Sequence, residues 1–153
     1  KGLQIIPIPD RIRKFLEEKS PTLAKWLGNP VDFSILMGFD INPFDLLKLM
    51  VEDPDFDLFI ATVTDDSPLN DRYWVGMIER EVETYLAIAR QKVKPIAVII
   101  GNAEVGMEQV NNWRWEALFK LRERLVKAGI PVFSTIGRAA SAVNKLVNYY
   151  QEV

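Results

Sequence analysis

Histidine and cysteine are both absent from the 153 residues, which removes much of the usual catalytic chemistry. Without them there is no Ser-His-Asp triad, no Cys-His pair, no thiolate metal site and no disulfide. Chemistry by this chain would have to use carboxylates, lysines or backbone donors. Three stretches hold such groups where a ligand could meet them. Gly101-Asn102-Ala103-Glu104-Val105-Gly106 follows an apolar run and contains glycine, but matches neither GxGxxG nor GxxxxGK[ST]. It reads either as a ligand loop or as a tight strand-to-helix turn. Asp65, Asp66 and Asp71 could offer oxygen ligands to a divalent cation, or form a solvated loop whose last aspartate caps the next helix. No EF-hand-like spacing favours the metal, and no metal residue is assigned. Asn29-Pro30-Val31-Asp32 brings two polar side chains to the start of an apolar segment, as a site or as an Asx turn stiffened by proline.

These loops need a scaffold, and the hydrophobic pattern supplies one. Val31–Phe33, Asp57–Thr64, Ile96–Ile100 and Ile130–Phe133 are short apolar runs without alternation, as in strands buried on both faces. Between and after them run helical patterns at Phe44–Glu52, Trp74–Gln91, Asn111–Ala128 and Arg138–Gln151. Strand–helix order repeated four times predicts an α/β fold. We expect a flavodoxin-like three-layer sandwich with a mostly parallel sheet of about four to five strands. Ligands of such sheets bind beyond the carboxyl ends of the strands. The crevice candidates are therefore Asn29, Asp32, Ser34, Thr64, Asp65, Gly101 and Asn102. No catalytic residue is assigned.

Residues 1–28 read as an apolar, proline-containing arm followed by two short helices, and residues 29–153 as the sheet domain. Asp10 is the expected cap of the first helix, Ser20 of the second, and Gly28 the stop. Gly129 is the expected stop of the helix before the last strand. Trp113 and Trp115 lie two apart on one helix and diverge by ~200°, so they do not enter one core together. One of them, or the arm, is an expected contact surface, in a homodimer or against another domain.

Composition bounds the partners. The chain is 48% hydrophobic and 26% charged, with net charge −2. That balance lacks the basic footprint of nucleic-acid binders. No apolar run approaches the ~20 residues of a membrane span. No signal peptide opens the chain, so a cytoplasmic location is expected. Lys1 in place of Met leads us to expect a piece of a longer protein.

Four segments in order carry a resemblance: Gly28-Asn29-Pro30-Val31-Asp32, Leu49–Asp57, Lys94-Pro95-Ile96-Ala97-Val98, and Ala128-Gly129-Ile130-Pro131-Val132-Phe133. Together they resemble the ADP-forming (NDP-forming) acyl-CoA synthetases, in their last flavodoxin-like, succinyl-CoA synthetase-like domain. The resemblance covers about Gly28 to Val153. Gly101-Asn102-Ala103-Glu104 is similar to the family's glycine–asparagine loop. The resemblance implies an acid–thiol ligase that makes acyl-CoA from acid, CoA and ATP through a phosphohistidine. It places that histidine on a neighbouring domain, so this chain would support the active site without its catalytic residue. CoA, ATP and Mg are implied for the full-length enzyme, and no cofactor for this chain. The implied partners are the CoA-binding, His-loop and ATP-grasp domains or subunits. Where the family has glycine-rich turns, this chain has Ser34-Ile35-Leu36-Met37 and Thr64-Asp65-Asp66. The alternative is an interaction or regulatory domain of the same fold that has lost the site. A stand-alone flavin or nucleotide binder is disfavoured, because no Ser/Thr-rich phosphate loop follows the first strand.

Overall fold

Proline and side-chain caps set the helices of the amino-terminal part. Our computed structural model of the chain describes residues 2–32, 39, 41–63, 71–101 and 113–152. The chain divides into two compact units, Lys1–Asp57 and Leu58–Val153. The boundary read from the sequence, between residues 28 and 29, falls inside the first unit.

In the first unit, α1 spans Asp10–Lys19, α2 Pro21–Trp26 and α3 Pro43–Glu52. Asp10 is not a cap, contrary to expectation. Pro9 holds the cap position with extended backbone and no side-chain bond, so Asp10 falls in the first turn. There its charge favours the positive end of the helix dipole. Ser20 behaves as expected: its Oγ accepts from the Leu23 N–H at 3.3 Å, and Pro21 follows at the first helical position. Gly28 does not stop α2. The chain leaves through Leu27, which is extended (φ −73°, ψ 120°) and needs no left-handed residue. Asn42 caps α3, its Oδ1 accepting from the Phe44 N–H at 2.9 Å. Leu46, Leu47, Met50 and Val51 recur at helical spacing and are buried, as are Ile12, Leu16 and Leu23. The strand expected at residues 31–33 is not present at Val31 and Asp32, and Phe33 lies outside the described residues.

The second unit holds a parallel three-stranded sheet. Its strands are β1 (Phe59–Thr62), β2 (Ile96–Ile99) and β3 (Val132–Phe133), in the order β1-β2-β3. Phe59 pairs with Ile96 and Val98 with Val132. The fold class is therefore α/β, with three strands among the described residues rather than four. Every residue of β2 is buried, as its unbroken apolar run requires. β1 is less covered than expected: Ile60 and Ala61 are half-buried and Thr62 is exposed. Among the described strands it has a neighbour on one side only.

Helix α4 (Asp71–Gln91) links β1 to β2, α5 (Trp113–Lys127) precedes β3, and α6 (Ile136–Glu152) follows it. Helices α4 and α5 pack on each other, and α6 touches all three strands. The end of α5 shows why the sequence turns there. Gly129 has φ +79°, a left-handed value that disfavours any side chain. Its N–H reaches the Val126 carbonyl at 2.9 Å, and the Ile130 N–H reaches the Leu125 carbonyl at 3.0 Å. These two bonds make a Schellman end, with buried Leu125 and Ile130 as its apolar pair. Thr135 caps α6, its Oγ1 accepting from the Arg138 N–H at 3.2 Å. That cap starts the helix two residues ahead of the expected Arg138.

Candidate functional site

In a parallel β–α–β arrangement each helix begins at the carboxyl edge of the strand before it. The starts of α4 and α5 therefore lie at that edge of β1 and β2, where a helix dipole favours anions. Gly101 is the one crevice candidate of the second unit among the described residues. It follows directly on β2 and is half-buried. Ser34, Thr64, Asp65 and Asn102 lie outside the described residues, as does Asp66.

Asn29 and Asp32 belong to the first unit. Asn29 Nδ2 donates to the Ile6 carbonyl at 2.9 Å and ties the arm down. Ile8 of that arm is buried, while Leu3 and Ile5 are exposed. Asp32 is exposed.

Other side chains hold the carboxyl edge, and the sequence did not single them out for it. Tyr85 Oη donates to the Thr62 carbonyl at 2.8 Å, at the end of β1. Arg122, which reads as a packing and salt-bridging position, donates from Nη2 to the Ile100 carbonyl at 3.1 Å. Helical spacing marks Tyr85 as a core residue but carries no sign of its hydroxyl's partner. Trp113 and Trp115 do diverge. Trp113 meets Trp74 edge to face with centroids 5.4 Å apart, and Arg114 lies over both rings. Trp115 instead lines a shallow hollow of about 320 Å³ with Glu116, Phe119 and Lys120. Among the described residues, no group of three His, Cys, Asp or Glu side chains could hold a metal ion.

Burial, and next the nearby Glu81 charge, raise the Tyr85 hydroxyl above its ordinary pKa of 10.0. The neutral phenol is thus favoured in the folded state. Its contribution to stability is fully present below pH ~10 and is lost as pH rises above that value. We expect the folded protein and its Tyr85→Phe variant to give the same tyrosinate absorbance in an alkaline titration short of unfolding. A signal lower by a full tyrosine in the variant would show that Tyr85 ionises in place.

No family model, no curated protein and no solved structure matches the chain. No helix among the described residues is long and apolar enough to cross a membrane.

Proposed function

We propose that the chain is a domain of an ADP-forming acyl-CoA synthetase, which supports the active site without supplying its phosphorylated histidine. The observation that carries this reading is the fit between the two later of the four quoted segments and the elements they form. Ala128–Phe133 is a helix end, a left-handed glycine and a strand, and Lys94–Val98 leads into the buried central strand. In this reading the sheet extends to four or five strands in a flavodoxin-like, three-layer sandwich. Its helix starts then face the acid or phosphoryl group brought by a neighbouring domain. CoA, ATP and Mg belong to the complete cytoplasmic enzyme, and no reaction step is assigned to a residue of this chain. A second reading, an interaction or regulatory domain of the same fold, is favoured by Asp65-Asp66, whose charges would repel a phosphate.

The ligase reading predicts that the chain alone forms no CoA thioester from ATP, Mg, CoA and short carboxylic acids. Thioester formation that follows the purified chain through successive columns would contradict it, because no histidine is present to carry the phosphoryl group.

A further inference from the structure

Helix α5 carries a second apolar stripe besides the one it buries. Leu118, Leu121 and Leu125 are buried, and two other side chains face α4: Arg124 pairs with Glu83, and Trp113 meets Trp74. Trp115 and Val126 each lie two residues from one of those α4-facing positions, about 200° round the helix. With Phe119 they form a stripe on the flank away from α4. Phe119 is 67% and Val126 58% exposed, and Trp115 is half-buried. Beside the stripe runs a row that alternates in charge at steps of four and three residues: Glu116, Lys120, Glu123 and Lys127. Lys127 and Glu123 pair at 2.8 Å, whereas Glu116 and Lys120 make no ion pair among the described residues.

Such a row complements itself only when run in opposite directions. Two antiparallel copies of α5 related by a two-fold axis bring the same flank of each together. Glu116 then meets Lys127 of the second copy, and Lys120 meets Glu123, each twice. Parallel copies in register would set like charges opposite each other. The apolar side chains point to the same alignment. Trp115, Glu116, Phe119 and Lys120 line the shallow hollow on α5. The alignment that pairs the charges sets Val126 of the second copy over the middle of that hollow, as a knob in a hole.

We propose that α5 is a homodimer interface, on which a second copy of this chain packs antiparallel about a two-fold axis. The apolar stripes supply the buried area, and the charged rows set direction and register. The proposal concerns α5 alone and stands or fails apart from the ligase reading.

Sedimentation equilibrium of the chain over a series of concentrations tests it. The expected species has twice the 17.5 kDa mass of one chain. Phe119→Ser, at an exposed position, should keep the fold by circular dichroism. It should weaken dimerisation about thirtyfold or more, the scale of an interface hot spot. A variant with the row inverted (Glu116→Lys, Lys120→Glu, Glu123→Lys, Lys127→Glu) should dimerise with itself but not with the parent, because a mixed antiparallel pair sets like charges together. Energy transfer between labelled copies should therefore appear within each protein and not between the two. A parent that stays monomeric at every concentration, whether Phe119 is open to solvent or covered in some other way, overturns the proposal. So does a dimer that Phe119→Ser leaves as tight, and so does free mixing of parent and inverted variant. If the inverted row does not fold, Glu116→Lys alone decides: it sets lysine against Lys127 of the second copy, and a dimer as tight as the parent's overturns the proposal.

Discussion

Leu125→Ala should destabilise the second unit by about 3 kcal/mol, within the range of buried leucine truncations that leave a cavity. Leu125 is fully exposure-free, and it lies on the buried stripe of α5 with Leu118 and Leu121. Its position adds a second consequence. The Leu125 carbonyl accepts the Ile130 N–H, and both side chains are buried, at the positions whose apolar side chains commonly accompany a Schellman end. Removing the leucine side chain therefore loosens the turn that aims β3 at β2. Amide exchange should speed up across β2, the end of α5 and β3. A loss below ~1 kcal/mol would mean that the site collapses without a cavity, and that the turn holds by its backbone bonds alone.

Among the described polar side chains of the first unit, Asp53 should be the most sensitive; it is 2% exposed. Its Oδ2 accepts from Arg11 Nε and faces Arg11 Nη2, both at 3.2 Å, and its Oδ1 accepts from the Asp55 N–H at 3.0 Å. One carboxylate thus joins the first turn of α1 to the end of α3. Breaking a wholly buried ion pair costs about 3–5 kcal/mol. The Arg11 side chain is 60% exposed, so water screens this pair and the cost is smaller. We expect about 2 kcal/mol for Asp53→Ala, chiefly from unmade buried bonds. Asp53→Asn should lose less, because its carbonyl can still accept from Asp55. Amide exchange in α1 and α3 should rise in the order Asn, then Ala. Equal protection in parent and Asp53→Ala would show that the helices are held by Leu16, Leu46 and their apolar neighbours alone.

The α/β class was legible because its signals are local. The run Ile96–Ile99 is apolar at every residue, and all four residues are buried. Ser20 before Pro21 and Gly129 before Ile130 each act as their residue types require. Errors arose where two local devices compete. Asp10 suits a cap, but Pro9 already has the extended backbone that a cap position uses. Gly28 suits a stop, but an extended Leu27 ends α2 without help. The edge side chains were illegible for a different reason. Tyr85 and Arg122 reach Thr62 and Ile100, each more than 20 positions away, and no spacing rule encodes such partners. Trp74 and Arg114 likewise meet only once two helices are packed side by side. Of the crevice candidates, Asn29 stands out in sequence as a polar residue before proline, yet its bond is to the arm.

The central claim, that this chain is a working part of an acid–thiol ligase, is tested most directly by complementation. The complete product of the encoding gene is assayed for ATP-dependent CoA thioester formation across short carboxylic acids. The same product lacking residues 1–153 is assayed alone, and again with this chain added back. The account predicts thioester formation by the complete product, its loss on removal of the chain, and recovery when the separate chain is supplied. No thioester from the complete product, or full activity without the chain, would contradict it.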